Sequence, residues 1–166
     1  MKHTLAVLVE NKPAVLSHIS GLISRRYFNI ASIAAGSTED PDITRITIVV
    51  ECDERELEQV INQLSKLINV VKIQNLTSTE AISRDLALIK VKASPETRSD
   101  IVDIVDIFRA KIVDVNRETM VIELTGEEDK IDALCQVLED YGIIEIVRTG
   151  KVALARGPLA ARHVED

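Results

Sequence analysis

The sequence predicts an α+β fold with two βαββαβ repeats in tandem, each forming an antiparallel four-stranded sheet. Short apolar runs of strand length alternate with stretches of helical periodicity. The order β-α-β-β-α-β occurs once up to residue 76 and again from residue 85, with a polar stretch between. Hydrophobic residues make up 46% of the 166-residue chain but aromatic residues only 2%, so the core must be aliphatic. This order is that of the ferredoxin-like fold.

The first repeat opens with a strand over 3–9 that is apolar on both faces, which indicates a central strand. Pro13 suits the first position of a helix because its φ is fixed and its missing N–H is not needed there. A helix is therefore predicted over 13–26, with one apolar face that includes Val15 and Leu16. Strands over 29–36 and 43–51 follow it.

A second helix completes the first repeat. Asp53 followed by Glu56 has the spacing of a capping box, which marks a helix start. A fourth strand is predicted over 70–74. The predicted apolar stripe of this helix consists of Leu57, Val60, Ile61, Leu64, Leu67 and Ile68.

The second repeat follows the same order. Ser94 and Pro95 indicate a helix start, and acidic residues at 127–129 suit the start of the next helix, where the dipole favours negative charge. Gly142 is the predicted helix stop. The predicted strands of this repeat cover 85–93, 112–115, 119–125 and 143–147.

These repeats predict a first domain over 1–76, a linker over 77–84, a second domain over 85–157 and a mobile tail over 158–166. In each repeat both helices are expected on one face of the sheet. The opposite face would expose apolar side chains, so a second copy is expected to cover it, by the face or by the edge.

Several function classes are disfavoured. The net charge is −7 and neither half is basic, which argues against nucleic-acid binding. No apolar run approaches the roughly 18 residues of a membrane span. The N-terminus leads into a strand without a signal-peptide pattern, so we expect a cytoplasmic protein. Cys52 and Cys135 form no CxxC pattern and are predicted to be buried, reduced thiols.

Catalytic and metal sites are likewise not indicated. The strands over 5–9 and 43–50 carry no aromatic residue on which RNA bases could stack. His3, His18 and His163 are isolated, whereas metal ligands cluster. No nucleophile elbow, phosphate-binding glycine loop or Cys–His pattern is present. We therefore expect neither a metal nor catalysis by this chain.

One turn is a candidate ligand site. The strand ends at residues 10–11 and a helix follows, so backbone N–H groups at the helix N-terminus lack partners beside the positive end of the dipole. Such a turn can hold the carboxylate of a small ligand. The alternative is that these amides bind only water, as at most strand–helix junctions.

Two motifs carry a family resemblance. The run Asn11-Lys12-Pro13-Ala14-Val15-Leu16 and the run Arg26-Tyr27-Phe28-Asn29-Ile30 resemble the ACT domain, an amino-acid-sensing module. Together with residues 84–91 and 108–115, they resemble the regulatory small subunits of acetolactate synthase, over about residues 1–157. The resemblance to this family is specific because all of these motifs occur in the same order along the chain. The first turn alone would suggest only an ACT domain.

The resemblance implies a non-catalytic subunit that activates a large catalytic subunit and confers feedback inhibition by a branched-chain amino acid, usually valine. Thiamine diphosphate, Mg and FAD are expected on the large subunit, and no cofactor on this chain. In this family the effector lies between the ACT domains of a homodimer. The matching residues are Asn11, Lys12, Pro13, Ala14, Val15 and Leu16 of one chain and Asn29 and Ile30 of the other.

Two positions depart from the family pattern, because Ala14 and Tyr27 stand where glycine is usual. Glycine permits φ > 0 and close backbone approach. We therefore predict that the chain senses valine weakly or differently. The alternatives are a stand-alone ACT-type regulator of another enzyme or of transcription, and a small enzyme on the same fold.

Overall fold

The computed structural model describes residues 1–161; the end of the predicted tail and His163 lie outside the described residues. The chain divides into two compact units, Met1–Ile82 with the segment that begins at Lys151, and Ser83–Gly150. The first half of the chain forms β1 (Lys2–Glu10), α1 (Val15–Arg25), β2 (Asn29–Ser37), β3 (Ile43–Glu51), α2 (Glu54–Ser65) and β4 (Val70–Asn75). The second half forms β5 (Ala81–Lys92), α3 (Arg98–Ile107), β6 (Lys111–Val115), β7 (Thr119–Gly126), α4 (Glu128–Leu138), a 3₁₀ turn (Glu139–Tyr141), β8 (Ile143–Arg148) and β9 (Val152–Ala155).

The predicted fold class is confirmed, since each repeat forms an antiparallel sheet with alternating helices. The first sheet has the strand order β2-β3-β1-β4. The second has the order β6-β7-β5-β8 with β9 also paired to β5, so among the described residues it has five strands instead of the predicted four. The central strands β1 and β5 each pair with two antiparallel neighbours. In each unit one aliphatic cluster of strand and helix residues forms the core.

Two helices start later than predicted. Helix α1 begins at Val15, with Ala14 as its N-cap, and α3 begins at Arg98. Pro13 and Pro95 therefore lie in the turns before the helices and not at their first positions. The capping box of α2 is as predicted: Glu56 N donates to Asp53 Oδ1 at 2.8 Å, and Asp53 N donates to Glu56 Oε2 at 2.9 Å.

The predicted stripe of α2 extends too far. The helix ends at Ser65, and Ile68 lies in the following loop with 93% of its surface exposed. The predicted division also differs from the structure. Strand β5 already begins at Ala81, inside the segment predicted as a linker.

The C-terminal segment, residues 151–161, packs on the first unit instead of ending the second domain and continuing as a tail. Arg45 Nη2 donates to Ala153 O at 2.6 Å, and Lys151 N donates to Ser32 Oγ at 3.4 Å. Lys72 Nζ donates to Ala160 O at 3.3 Å. The segment is therefore attached to the first unit as far as its last described residues, which the prediction of a mobile tail did not anticipate.

This segment changes the expectation about the open sheet face. Ala6 lies on the face of β1 opposite the helices, and it forms a small buried cluster with Leu76 and Ala153. Leu8 and Val49 on the same face are also buried. The prediction of a bare sheet face is therefore wrong for the first unit, because the chain covers it without a second copy.

Candidate functional site

The turn after β1 is held in place by the turn before β3. Asn11 N donates to Asp42 O at 2.7 Å, and Asn11 Nδ2 donates to Pro41 O at 3.3 Å. Lys12 N donates to Glu10 O at 2.9 Å, while Lys12 Nζ pairs with Glu10 Oε2 at 2.8 Å. Asn11 therefore fixes the relative position of two loops at one end of the first sheet.

Ala14 holds the start of α1 in a left-handed conformation, with φ 70° and ψ −3°. No side chain caps this helix, and its first helical hydrogen bond runs from His18 N to Ala14 O at 3.0 Å. The amides of Val15, Leu16 and Ser17 consequently have no acceptor within the helix. This is the arrangement in which a helix N-terminus binds a carboxylate.

Two cavities lie beside this turn, and their linings differ. The first, of about 370 Å³, is called the acidic cavity here because it has three carboxylates, and it is lined by Glu10, Asn11, Lys12, Asp40, Asp42, Ile43 and Val71. The second, of about 200 Å³, is largely apolar and is lined by Val15, His18, Leu67, Ile68, Asn69 and Val70. Carboxylates suit an ammonium group and aliphatic walls suit an apolar side chain, so the two cavities differ in the chemical groups that they can accept.

The other predicted site residues lie elsewhere in the sheet. Asn29 pairs with Glu51, which in turn pairs with Lys2 at the start of β1. Asn11 follows the opposite end of β1, about 27 Å away at the usual rise per strand residue. Asn29 Nδ2 donates to Glu51 Oε2 at 3.2 Å. A single chain therefore keeps Asn29 and Ile30 apart from the turn at Asn11.

Strand β2 is one of the two outer strands of the first sheet, and β4 is the other. Strand β2 is nine residues long, and it contains no charged residue and no proline. Ala31, Ile33 and Ala35 are exposed along it. Proteins normally protect such edges with charge, proline or a covering element, so this edge is suited to pair with another strand.

Tyr27 connects α1 to this strand with a φ of 59°, and its side chain is 96% exposed. The departure from glycine at Ala14 and Tyr27 therefore does not change the turn, because both residues adopt the positive φ that glycine would favour. Arg109 repeats the arrangement after α3, with φ 56°.

Sequence reasoning missed the contribution of the turn before β3. Asp40 and Asp42 line the acidic cavity, and Asp40 Oδ1 accepts a hydrogen bond from Asp42 N at 2.9 Å. The run at 37–42 is visible in the sequence as turn chemistry, but only the bonds to Asn11 place it at the site.

His18 lines the apolar cavity beside this turn, whereas Cys52 and His3 are buried in the first unit; Cys135 is only half-buried, short of the burial predicted for it. Cys52 is buried, and burial raises the pKa of its thiol, with neighbouring acidic groups adding to the effect. His3 Nε2 lies 3.2 Å from Cys52 O inside the first unit. Within residues 1–161 no three His, Cys, Asp or Glu side chains cluster as metal ligands, and no helix there is long and apolar enough to cross a membrane.

Comparison with known proteins accounts for both units. Residues 5–72 match the small-subunit-like ACT domain of acetohydroxyacid synthase, and residues 84–157 match the small subunit of acetolactate synthase. A probable acetolactate synthase small subunit from Archaeoglobus fulgidus is 54% identical over 95% of this chain and 98% of its own length. The chain belongs to the acetolactate synthase small-subunit family. The family resemblance stated from the motifs is thereby confirmed.

Further relatives agree along the whole length. The acetolactate synthase small subunit of Mycolicibacterium smegmatis is 53% identical over 94% of this chain and 92% of its own. The crystal structure of the small subunit from Thermotoga maritima superposes with a TM-score of 0.88 at 40% identity, covering 96% of this chain and 99% of that one. The family assignment therefore rests on both sequence and fold.

Proposed function

We propose that this chain is the non-catalytic regulatory subunit that binds and activates the large catalytic subunit of acetolactate synthase and makes it sensitive to valine. The observation that carries the proposal is the turn at Asn11–Ala14, with its uncapped helix start, in a chain of this family. The chemistry of the large subunit, with thiamine diphosphate, Mg and FAD, would then belong wholly to the partner.

The effector site is completed by a homodimer through the ACT units. Because the C-terminal segment covers the open face of the first sheet, an edge is left for pairing, and the uncharged edge at β2 suits it better than the edge at β4, which carries Lys72. Two antiparallel copies of β2 in full overlap place the dimer axis at Ile33. Asn29 of one subunit then lies opposite Ser37 of the partner subunit, at the end of the sheet that carries the partner's Asn11.

Valine fits the chemistry of such a site. Its carboxylate can accept from the free amides of Val15 and Leu16, and its ammonium group suits the carboxylates of Asp40 and Asp42. Asn29 and Ile30 of the other subunit would supply an amide and an apolar contact. Since the bound valine touches both subunits, it favours the dimer geometry that holds it, and only such a difference in affinity can shift an equilibrium.

Reconstitution tests the proposal. The chain is added to the purified large subunit, acetolactate formation is measured, and valine, leucine and isoleucine are titrated in turn. We expect an increase in rate on adding the chain and a selective loss of that increase with valine. An unchanged rate at saturating chain would reject the activating role.

Calorimetric titration of the isolated chain separates the alternative function. A stand-alone amino-acid sensor would bind valine without any effect on the large subunit. Binding of valine together with no change in acetolactate formation would therefore favour the regulator of another target.

A further inference from the structure

A basic turn precedes the edge strand. Arg25 and Arg26 end helix α1, and Tyr27 follows in its strained conformation; all three side chains are exposed. Within residues 1–161 neither arginine forms an ion pair. A bulky residue held at positive φ and fully exposed is a backbone outlier of the kind that points to a functional contact.

An acidic turn follows the same strand. Residues 39–42 contain Glu39, Asp40 and Asp42 in four positions. Asp40 is used locally, as the acceptor for Asp42 N, whereas the carboxylates of Glu39 and Asp42 form no ion pair in the described part of the chain. Strand β2 therefore has two cations before its first residue, and after its last it has the carboxylates of Glu39 and Asp42, of which Glu39 also lies near the charge of Arg45.

The strand register brings these two turns together in a dimer. In an antiparallel pair centred on Ile33, Ile33 faces its own copy, and the numbers of any two facing residues therefore add up to 66. Extending that register by two residues beyond the strand places Tyr27 opposite Glu39 of the partner subunit. Arg26 is then opposite the partner's Asp40, and the twofold axis repeats the contact on the other side.

We propose that the basic turn, residues 25–27, docks on the acidic turn, residues 39–42, of a second copy of this chain. This inference rests on the β2 pairing of the proposed function and adds the contact that fixes its register. An uncharged strand specifies its register weakly, because a slip of two residues buries the same kind of side chain. Opposite charges at the two ends of the strand disfavour every slipped register, because a slip would leave these ions without partners in the dimer.

The contact also bears on the effector site. The acidic turn accepts both hydrogen bonds from Asn11, so a partner that binds this turn holds the loop that lines the cavity. Docking of the basic turn would neutralise part of the acidic cavity wall. Dimer assembly and the charge seen by an effector are thus set by the same residues.

Charge reversal tests the contact, with sedimentation equilibrium as the readout of the dimer Kd. We expect Arg26→Glu and Glu39→Lys each to raise the Kd about tenfold, because each change gives a basic and an acidic turn the same sign of charge at one position in both copies of the contact. Combining the two should return the Kd to within about threefold of the wild-type value. The matched control is Arg55→Glu, which makes the same change in charge at an exposed residue of α2. It should leave the dimer Kd unchanged.

Salt and the aromatic ring give independent readouts. Raising NaCl from about 0.05 to 0.5 M should weaken the wild-type dimer more than the Arg26→Glu and Glu39→Lys variants, because these variants no longer pair opposite charges in the contact. Asn tolerates a positive φ, so Tyr27→Asn removes the ring without adding backbone strain. We expect this change to raise the dimer Kd as well.

Two edge variants distinguish failure of this contact from failure of the dimer. Ile33→Asp places two carboxylates against each other on the axis, and Ala35→Asp adds a charge at an exposed position of the same edge. If these variants abolish the dimer while charge reversal changes the Kd less than twofold, the docking of the turns is overturned and β2 pairing stands. A dimer unaffected by either edge variant, or a chain that is monomeric throughout, overturns both.

Discussion

Ala14 and Tyr27 lie at the two ends of helix α1, and both have a positive φ, of 70° and 59°. A side chain in this conformation is strained by roughly 1 kcal/mol or more. The effector turn and the edge strand are therefore each joined to the same helix through one strained residue, and substitutions at these two positions should separate stability from ligand binding.

Replacing Tyr27 with glycine should stabilise the chain. The change relieves the strain at φ 59°, so for the monomer, at a protein concentration well below the dimer Kd, we expect a gain of about 0.5–1 kcal/mol and a rise in Tm of a few degrees. The measurement is thermal unfolding followed by circular dichroism. Arg26→Gly, at an ordinary φ of −99°, is the control and should lower the Tm; a lower Tm for Tyr27→Gly would contradict the strain.

Replacing Ala14 with glycine should strengthen valine binding. The Ala14 methyl lies at the N-cap of an uncapped helix, where a bound carboxylate must approach the free amides closely. We expect the valine Kd from calorimetric titration to fall about threefold to tenfold, consistent with one relieved contact. Ala133→Gly, an exposed alanine of α4 in the second unit, should have no such effect, and an unchanged Kd for Ala14→Gly would show that the methyl is tolerated.

Loss of the α2 capping box should destabilise the first unit. Asp53→Ala removes the acceptor for Glu56 N at 2.8 Å, so we expect a loss of about 1 kcal/mol in the free energy of unfolding. Chemical denaturation with urea measures it. Glu54→Ala in the same first turn removes a charge but not the cap bond, and should cost about half as much or less.

Arg45→Met should release the C-terminal segment. The guanidinium donates to Ala153 O at 2.6 Å, and burial lowers the pKa of Arg45, opposed by the nearby charge of Glu39. Hydrogen exchange at residues 152–155 should become faster while exchange in β5 stays slow. The exposed Arg55→Met provides the comparison, and equal exchange in the two variants would exclude a holding role for Arg45.

Arg148→Met should strongly destabilise the second unit. Arg148 Nε and Nη2 each lie 2.9 Å from Asp85 Oδ2, and Asp85 is only 7% exposed. Removing the cation leaves a buried carboxylate with Thr149 as its remaining side-chain partner, so we expect a loss of about 2–4 kcal/mol.

The exposed partner of the same arginine supplies the control for that experiment. Asp132 Oδ1 accepts from Arg148 Nη1 at 2.9 Å, but its side chain is 59% exposed. Asp132→Asn should therefore change the free energy of unfolding by less than about 1 kcal/mol. If Arg148→Met and Asp132→Asn lower the free energy of unfolding in urea by similar amounts, burial of Asp85 does not explain the loss in Arg148→Met.

The repeat, the strand faces and the capping box at Asp53 could be predicted because they depend on local spacing. The starts of α1 and α3 could not, because proline suits a turn before a helix as well as its first position. Ile68 was assigned to a helix face because the periodicity continues past Ser65, where the helix ends. Periodicity alone does not mark that end.

The site was only partly predictable for a different reason. Asn11 and Ala14 are recognisable from their motif, but the contribution of Asp40 and Asp42 depends on bonds between residues 30 positions apart. The position of Ala153 over the first sheet depends on a still longer separation. No local pattern encodes such contacts, and only the fold brings them together.

The packing of residues 151–161 against the first unit affects how the protein is made. Tandem repeats usually complete their folding one after the other as they leave the ribosome. Here the first repeat waits for Ala153 and its neighbours, which are translated after the whole second unit, before Ala6 and Leu76 are fully enclosed. A fragment that stops at Ile82 would therefore be an incomplete protein, and a nascent chain stalled near its end would still present an unfinished surface to chaperones.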